Sequence, residues 1–214
     1  MTVVVPAVLA DSVDNYKAQV ERLYGIGDRV HIDISDGEFA PSLTLGAAQV
    51  WWPQEWEADV HAMVARPSEH LQTLIGLKPS MIIFHAETNE SIVPILQQVK
   101  RAGIKAGLAL LKTTVPSTVS DAINESDHVM IFTGDLGRYG GTASLMQLEK
   151  ARLIRMIKPE VEIGWDGGAN LDNAYSLAQG GVDVVNVGGA FATAASPQDM
   201  YARLVSEVNK QGVI

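Results

Sequence analysis

The chain has 214 residues, of which 47% are hydrophobic, so it can bury a sizeable core in one large domain or two small ones. It contains no cysteine, which excludes disulfides and thiolate metal sites. Its formal net charge of -9, without any cluster of Lys and Arg, argues against nucleic acid as a partner. Backbone amides can still bind an anionic small molecule, so a phosphate ligand stays open.

The first residues, MTVVVPAVLADS, carry no basic segment and only a short apolar run. We interpret them as the first strand rather than as a signal peptide. No apolar run in the sequence approaches the roughly 18 residues that a membrane span requires. Together with the absence of cysteine, this pattern predicts a cytoplasmic protein without a membrane partner.

Eight short apolar runs, rich in β-branched residues, alternate with segments whose apolar residues recur at helical spacing. The runs cover residues 3–9, 29–35, 58–64, 81–87, 105–111, 128–134, 161–167 and 182–188. The helical segments include residues 12–25, 67–77, 89–103, 144–157, 170–181 and 196–211. Several of these segments open with Ser, Asn or Pro, which favour the start of a helix.

This alternation predicts the fold class. Strands that are apolar nearly throughout are buried on both faces, which is typical of a parallel sheet. Eight strand and helix units, recurring at roughly 25-residue intervals, predict an α/β fold, the (β/α)8 TIM barrel. A doubly wound open sheet is the alternative, and it is less well supported because no G-x-G-x-x-G follows the first run. No linker or low-complexity segment divides the chain, so we expect one domain over residues 1–214.

Polar residues inside the apolar runs point to a site, because barrel sites are built at the C-terminal ends of the strands. His31 and Asp33 lie two apart in the second run and therefore face the same way. His61 lies in the third run, and Asp166 lies near the end of the seventh. We expect these four side chains to converge at the barrel mouth. Two imidazoles and two carboxylates suit a divalent transition metal and leave room for a substrate oxygen.

Each such residue also has an ordinary structural explanation. A single buried histidine such as His61 is more often a hydrogen-bonded core residue than a ligand. His85, which lies with Glu87 at the end of the fourth run, would simply hold a strand end, and we expect His70 and His128 to be structural or exposed to solvent. The joint occurrence of several ionisable groups on separate strands favours a functional site, because burying them without partners would be costly.

Glycine pairs follow the last three runs, in the stretches GRYGGTA, DGGAN and NVGGAF. Glycine pairs are common in short turns, so one pair alone is a weak indication. Loops after the last barrel strands, however, often expose backbone amides to a phosphate. We therefore expect a phosphate site lined by Gly140, Gly141, Gly167, Gly168, Gly188 and Gly189.

Several longer stretches together carry a family resemblance. They are PAVLADS, HIDISDGEFAPSLTLG, DVHAMV followed by RP, FHAE, GLAL, YGG, WDGG and VGGAF. On these stretches the chain resembles the ribulose-phosphate 3-epimerase family over nearly its full length. The resemblance implies an isomerase: a (β/α)8 barrel that holds one divalent metal ion and inverts the carbinol next to the carbonyl of a ketose phosphate.

The resemblance also implies roles for individual residues. It assigns the metal ligands to His31, Asp33, His61 and Asp166. It assigns Asp33 and Asp166 a second role, as the acid and base on opposite faces of the substrate carbon. Such a pair makes chemical sense, since one group removes the proton and the other returns it through a metal-stabilised enediolate. The metal is one of zinc, iron, manganese and cobalt, all of which accept this donor set.

Met63 and His85 are expected to lie in the substrate pocket, by the same resemblance. The chain also departs from the family pattern near that pocket. Ala7 and Ala10 stand where members usually have serines, and Ser35 stands in place of a methionine. The stretch 38–42 has lost a usual histidine and a usual asparagine, which are Glu38 and Ser42 here.

The loop after the sixth run, residues 134–143, departs most. It has one residue more than the usual loop, and Arg138 and Tyr139 precede its glycine pair. Backbone contacts to a phosphate remain available there, and Arg138 would add a charge-assisted contact. These changes leave the metal chemistry intact and open the choice of sugar.

The leading hypothesis is a metal-dependent sugar-phosphate 3-epimerase that interconverts D-ribulose 5-phosphate and D-xylulose 5-phosphate. One alternative is an epimerase of another ketose phosphate, such as a hexulose 6-phosphate, and another is a non-catalytic barrel that binds a sugar phosphate. A decarboxylase of the same superfamily is disfavoured, because HIDISDG lacks the lysine of the D-x-K-x-x-D motif.

The segment WWPQEW, which contains Trp51, Trp52 and Trp56, is unusually aromatic. It is interpreted as an interface patch, as a lid over the site, or as loop aromatics that pack against a helix. We expect the protein to be a homo-oligomer.

Overall fold

Eight parallel strands close into one barrel in chain order, which confirms the predicted (β/α)8 TIM barrel. The computed structural model describes residues 1–210. The strands are β1 Val3–Leu9, β2 Arg29–Ser35, β3 Glu57–Met63, β4 Met81–His85, β5 Lys105–Leu110, β6 His128–Phe132, β7 Glu162–Asp166 and β8 Val184–Val187. Gln211, the last residue of the predicted helical stretch 196–211, lies outside the described residues. The single domain over residues 1–214 therefore stays a prediction.

Helices alternate with the strands, and all but the short helix at Gly189–Thr193 cover the outside of the barrel. They are α1 Val13–Leu23, α2 Pro67–Leu77, α3 Ile92–Arg101, α4 Ser120–Glu125, α5 Glu149–Ile157, α6 Ala174–Gln179, α7 Gly189–Thr193 and α8 Pro197–Val208. Ser12 caps α1 by accepting the Asn15 N–H, and Ser196 caps α8 in the same way. The short helices α4 and α7 were not among the predicted segments. No helix within residues 1–210 is both long enough and apolar enough to cross a membrane.

Several predicted runs extend beyond the observed strands. The run 81–87 ends as a strand at His85, and the run 128–134 ends as a strand at Phe132. The residues that follow still bond the neighbouring strand at first, through Ala86 to Ala109 and Thr133 to Asp166, and then form the rim of the barrel. The rim is where a barrel site is built.

The apolar core has two parts. A large cluster fills the layer between the strands and the helices. A small cluster lies inside the barrel, on β4, β5 and β6, and consists of Met81, Ile83, Ala109, Met130 and Phe132. The interior of the barrel is therefore apolar along one side, and buried polar residues occupy its two ends.

A network of charged residues closes the N-terminal end of the barrel. Arg29 donates from Nε to Asp59 (2.6 Å) and makes a bidentate contact with Glu162 (2.9 and 2.8 Å). His128 Nδ1 lies 2.7 Å from the same Glu162 carboxylate. Gly164 makes room for this imidazole, because a Cβ at that position would come within 2.3 Å of His128 Nε2. His128 thus lies at the opposite end from the rim.

This network sets the ionisation of Glu162. Burial favours the protonated carboxyl, but the hydrogen bonds and charges of Arg29 and His128 outweigh burial and hold the pKa of Glu162 well below its usual range. A lowered pKa in the folded protein means that ionised Glu162 stabilises the fold above the ordinary glutamate pKa. That stabilisation is lost as the pH falls towards the lowered value.

We predict that Glu162→Gln lowers the free energy of unfolding by about 1 to 2 kcal/mol at pH 7, because the charge-assisted bonds to Arg29 and His128 are weakened. The difference from the wild type should shrink as the pH falls below about 4.3. Urea unfolding at several pH values measures both effects. Glu160→Gln, at an exposed position two residues away, is the matched control. A difference that does not change with pH would contradict the ionisation argument.

Candidate metal centre

Four polar side chains meet inside the C-terminal end of the barrel. Asp33 on β2 is in register with His61 on β3, and His31 shares its face because strand side chains alternate with a period of two. Asp166 is the last residue of β7. One ligand atom from each of the four residues lies within 4.8 Å of the others. The structure therefore brings together the four residues that the sequence placed at the barrel mouth.

The distances between side chains within the cluster are unequal. His61 Nδ1 lies 2.8 Å from Asp33 Oδ1, and His31 Nε2 lies 3.3 Å from the same oxygen. Asp166 Oδ2 is 3.8 Å from both of these ring nitrogens. The two imidazoles are fully buried, whereas Asp33 keeps 8% and Asp166 keeps 14% of its side chain exposed. The carboxylates therefore face the open side of the cluster.

The donor set fits a divalent cation. Both ring nitrogens of His31 are buried, and neither has a hydrogen-bond partner within residues 1–210. A buried ring nitrogen without a partner is costly, and a cation shared by two imidazole nitrogens and two carboxylate oxygens would satisfy His31 Nε2, the nitrogen that faces the aspartates. Zinc, iron, manganese and cobalt all accept such nitrogen and oxygen ligands.

The cluster shifts the pKa values of its two carboxylates in opposite directions. Burial raises the pKa of Asp33, but the adjacent His31 and His61 outweigh burial and hold it well below its usual range. The pKa of Asp166 is raised, by burial and by the negative charge of Asp33. Burial lowers the pKa of His31, yet the charges of the two aspartates outweigh it and raise that pKa. Carboxylates with divergent proton affinities are typical of acid and base pairs in enzymes.

His85 lies behind His61, on the side away from the four-residue cluster. Its Nε2 is 2.9 Å from His61 Nε2, and its ring packs against Phe39 with centroids 4.7 Å apart. Its Nδ1 faces Glu87 Oε2 at 3.4 Å. Burial lowers the pKa of His85 to about 4. His85 was expected in the substrate pocket, but the structure places it in contact with a cluster histidine and not among the residues that line the cavity described next.

A cavity of about 210 Å³ opens above the cluster. Asp33 and Asp166 line it, together with Met63 and Phe132, whereas His31 and His61 do not. The three glycine-rich loops form its other wall, with Gly140, Gly141, Gly167, Gly168, Gly188 and Gly189. The predicted pocket residue Met63 and all six predicted glycines thus surround one cavity.

The glycines of these loops have different tasks. Gly167 (φ 103°) allows close packing of two loops, since a Cβ there would come within 1.9 Å of the Gly134 nitrogen. Gly168 donates its N–H to the Gly140 carbonyl at 3.1 Å, so that N–H is already engaged. Gly140 (φ 93°) is open, with no atom within 4 Å of an added Cβ.

Tyr139 attaches the loop after β6, residues 134–143 and called the sixth loop below, to β1. Its hydroxyl accepts the Leu9 N–H at 2.6 Å, lies 3.2 Å from the Ala7 carbonyl and contacts Gln19 Oε1. Its ring packs over Gly188, where a Cβ would come within 2.5 Å of the ring. Tyr139 therefore covers the wall of the cavity on the side of Ala7.

Residues in and after β2 that differ from the family pattern are also connected to the sixth loop. Ser35 Oγ donates to the Ser42 carbonyl, and Ser42 Oγ donates to the Gly137 carbonyl, both at 2.6 Å. Glu38 forms an exposed ion pair with Arg66 at 2.6 Å. Ala10 is buried, and its carbonyl accepts the Leu45 N–H. Ser35 and Ser42 therefore hold two rim loops together.

Asn186, on β8, is a pocket residue that the sequence analysis missed. It is 2% exposed and lines the cavity. Its Nδ2 donates to Met130 Sδ at 3.3 Å, and its Oδ1 has no hydrogen-bond partner in the described part of the chain. The same criterion that selected His31, a polar residue inside an apolar run, would have found it in the run 182–188.

The aromatic segment 51–56 packs on α1. The Tyr16 hydroxyl donates to the Trp51 carbonyl at 2.5 Å, and the two rings meet edge to face at 6.1 Å. Trp56 is buried next to Tyr24. None of the three tryptophans lines the cavity, so the packing matches loop aromatics against a helix and not a lid. Trp51 remains 44% exposed.

Comparisons with known sequences agree with the resemblance. A family model described as the ribulose-phosphate 3 epimerase family matches residues 3–192. Ribulose-phosphate 3-epimerase of Schizosaccharomyces pombe is 28% identical, over 97% of this chain and 94% of the relative. The enzyme of that name from Helicobacter pylori is 31% identical, over 85% of this chain and 87% of the relative. A cytoplasmic isoform from Oryza sativa is 28% identical over 96% of this chain and 93% of the relative.

Comparisons with solved structures show the same fold at lower identity. 3-Hexulose-6-phosphate synthase from Salmonella typhimurium has a TM-score of 0.69 and 16% identity, over 97% of this chain and 98% of the other. 3-Keto-L-gulonate-6-phosphate decarboxylase from Vibrio cholerae has a TM-score of 0.71 and 11% identity, over 97% of each chain. At such identities the likeness shows the barrel fold alone.

We predict that zinc, iron, manganese or cobalt ions raise the melting temperature of metal-free protein, because a ligand that binds only the folded state stabilises it. The stabilisation is about 2.7 kcal/mol when the free metal is 100 times its Kd. His31→Gln removes one ligand and should abolish most of this increase in a thermal unfolding assay. His70→Gln, on the outer helix α2, should respond to metal as the wild type does. An unchanged melting temperature of the wild type with all four metals would contradict the assignment.

Proposed function

The chain belongs to the ribulose-phosphate 3-epimerase family, and from this we propose that it is a metal-dependent sugar-phosphate 3-epimerase, an isomerase that interconverts D-ribulose 5-phosphate and D-xylulose 5-phosphate. One observation carries the proposal. Asp33 and Asp166 are the two members of the four-residue cluster that line the cavity, and three glycine-rich loops line the same cavity. Such a cavity offers two proton-transfer groups together with backbone amides.

Epimerisation next to a ketone requires two proton transfers at one carbon. One carboxylate takes the proton from C3, and the electron pair left on C3 moves into the neighbouring C2 carbonyl to give an enediolate. The second carboxyl group returns a proton to the other face of C3, which inverts the centre. Asp33 and Asp166 reach the cavity from β2 and β7, two strands separated by β1 and β8. The roles exchange in the reverse direction, and no redox cofactor takes part.

His31, His61, Asp33 and Asp166 would hold one divalent cation, zinc, iron, manganese or cobalt. When bound, this cation would polarise the C2 carbonyl and offset the negative charge that develops on it. The charges of the cavity also favour a cation. Asp135 adds a third carboxylate to the lining, and Arg138 is its one cationic side chain in the part of the chain that the structure describes. A phosphate ester would enter such a cavity more readily once positive charge compensates the aspartates.

The phosphate would bind to the glycine loops. Gly140 and Gly141 have positive φ angles, which turn the backbone of the sixth loop along the cavity. Gly188 and Gly189 line the cavity from the end of β8, in the position that often binds phosphate in these barrels. Arg138, exposed at the rim, would add a charge-assisted hydrogen bond. Gly168, whose N–H is engaged, would contribute packing only.

A second candidate is an epimerase of another ketose phosphate, such as a hexulose 6-phosphate. The observation that favours it is the altered wall next to β1. Ala7 presents no hydroxyl there, Tyr139 covers that side, and Asn186 brings an unpaired amide oxygen to the cavity. An amide oxygen at that wall would accept a hydrogen bond from a sugar hydroxyl.

Further expectations belong to the same proposal. The partner is a small sugar phosphate, and neither nucleic acid nor a membrane is part of the function. The absence of cysteine and the cytoplasmic isoform among the relatives support a cytoplasmic enzyme. Exposed Trp51 supports a homo-oligomer, since aromatic residues are enriched at interfaces.

Deuterium incorporation at C3 tests the function directly. Metal-loaded protein in D2O is incubated with D-ribulose 5-phosphate or, separately, with ketohexose 6-phosphates, and NMR follows the C3 proton. We expect exchange and epimer formation with the pentulose. Asp166→Asn should slow both by about 10²- to 10⁴-fold, because it removes one of the two proton-transfer groups. The metal content of the variant is measured alongside, so that lost proton transfer is separated from lost metal.

Asp172→Asn, at an exposed position six residues further on, is the matched control and should exchange at the wild-type rate. Exchange with a ketohexose phosphate alone would favour the second candidate. No exchange with any ketose phosphate, despite bound metal, would refute the epimerase and favour a barrel that only binds a sugar phosphate.

We predict that Arg138→Ala raises KM by about 10-fold, since a charge-assisted hydrogen bond contributes roughly 1.5 kcal/mol or more. The value of kcat should change little, because the phosphate keeps its charge during the reaction. Initial rates over a range of substrate concentrations give both constants. Arg152→Ala, an exposed arginine on α5 paired with Glu149, serves as control. An equal effect of both substitutions would argue against a phosphate contact by Arg138.

A further inference from the structure

His61 uses both of its ring nitrogens. Nδ1 faces the candidate metal cluster, 2.8 Å from Asp33 Oδ1, and Nε2 faces away from it, 2.9 Å from His85 Nε2. All three side chains are buried. Two ring nitrogens at 2.9 Å form a hydrogen bond only when one of them carries a proton and the other does not.

We propose that His85 and Glu87 are positioning residues, which hold the His61 proton on Nε2 and so leave Nδ1 free to bind the cation. This inference rests on the proposed function only in requiring a divalent metal at the cluster. It extends a common arrangement, in which a metal-bound histidine donates its second N–H to a carboxylate or a carbonyl. Here a second histidine stands between the ligand and the carboxylate.

The positions of the protons follow from the geometry. A nitrogen that binds a cation must offer a lone pair, so neutral His61 carries its proton on Nε2 when Nδ1 is a ligand. That N–H can donate only to His85 Nε2, which must then be unprotonated. Neutral His85 therefore carries its own proton on Nδ1, and Nδ1 faces Glu87 Oε2 at 3.4 Å.

Two buried atoms without other hydrogen-bond partners agree with these proton positions. His85 Nδ1 and Glu87 Oε2 both lie in the buried part of the structure, and neither has a hydrogen-bond partner elsewhere in residues 1–210. Each is the nearest complement of the other: one is a donor in the required tautomer, and the other is a carboxylate oxygen. A hydrogen bond between His85 Nδ1 and Glu87 Oε2 would satisfy both atoms.

Glu87, at the far end of this series of hydrogen bonds, is itself held in place by two donors. Glu87 Oε1 accepts the Leu111 N–H at 2.9 Å and also accepts the Thr114 hydroxyl. Lys150, which is 7% exposed, donates to the Leu111 carbonyl at 2.5 Å and to the Lys112 carbonyl at 3.1 Å. Glu87 Oε1 is thus committed to two donors, and Oε2 is the oxygen left for His85.

Glu87→Gln would reverse the direction of donation in the hydrogen bonds that join His61, His85 and residue 87, with almost no change in the shape of the side chain. The Leu111 N–H needs an acceptor, so the new amide oxygen stays at its side and the NH2 group turns to His85 Nδ1. A donor there forces the His85 proton to Nε2, where it points at His61. His61 must then accept at Nε2 and carry its proton on Nδ1, the nitrogen that the cation needs.

Zinc binding and imidazole NMR test the proposal without any substrate. Zinc affinity is measured by competition with a chromogenic chelator, and long-range ¹H–¹⁵N correlations report which nitrogen of His61 is protonated. We expect Glu87→Gln to weaken zinc binding by about 10- to 100-fold, the usual effect of losing an outer partner of a metal ligand. In zinc-loaded wild type the His61 proton should be on Nε2 and the His85 proton on Nδ1.

Glu90→Gln is the matched control, because Glu90 lies three residues further on and bonds Ser68 instead of His85. It should bind zinc as tightly as the wild type. Thr114→Val removes one of the two donors to Glu87 and should weaken zinc binding by less than Glu87→Gln does. It keeps the test available if Glu87→Gln does not fold, which the unfolding midpoint of the metal-free protein shows.

Wild-type zinc affinity in both Glu87→Gln and Thr114→Val would overturn the proposal, and so would a His61 proton on Nδ1 in the zinc-loaded wild type. A wild type that binds no zinc would overturn it as well. Epimerase activity is not a readout here. A protein that binds zinc with these proton positions but exchanges no ketose phosphate would refute the proposed function and support this inference.

Discussion

The mouth of this barrel depends on one buried negative charge, the carboxylate of Asp33. Burial alone would drive Asp33 to its protonated form, and two imidazoles within 3.3 Å keep it ionised. The same charge raises the pKa of Asp166 and so makes the two carboxylates unequal. Replacing this group of charges by apolar side chains would remove a desolvation penalty, so the cluster is weakly explained as a device for stability. It is well explained as a site that a cation completes.

The two ends of the barrel interior show the difference between a structural and a functional polar network. At the N-terminal end, Arg29 meets Glu162 in a bidentate contact and Asp59 in a further bond, so most of the buried charge is paired. At the C-terminal end, both nitrogens of His31 lack hydrogen-bond partners in the described residues. His128 Nε2 at the N-terminal end also lacks a partner, but the charged groups there are paired with each other. The two carboxylates at the C-terminal end have no Arg or Lys partner among the described residues, which favours that end as the place where a cation binds.

The rim loops show how departures from a family pattern act together. Ser35 and Ser42 stand at two of the altered positions, and they form one path of hydrogen bonds that ends on Gly137 in the altered sixth loop. Tyr139 in that loop covers β1 next to Ala7, the position at which the family resemblance leads us to expect a serine. The changes are therefore coupled in space, although they lie about 95 to 130 residues apart in sequence. Such a set favours a reshaped pocket wall rather than independent drift at each position.

The sequence by itself determined the barrel, the period of two along each strand and the convergence of His31, Asp33, His61 and Asp166. Period-two spacing sets which side chains share a face, and parallel strands bring their C-terminal ends to one rim whatever the loops do. Only the tertiary structure decided which of these residues line the cavity and which lie behind its wall. The family resemblance predicted His85 in the substrate pocket, whereas in the structure its ring nitrogen contacts His61, and it does not line the cavity. Gly168 looked like a free amide, but the approach of the sixth loop engaged its N–H. Contacts of this kind join segments far apart in the chain, and no local pattern encodes them.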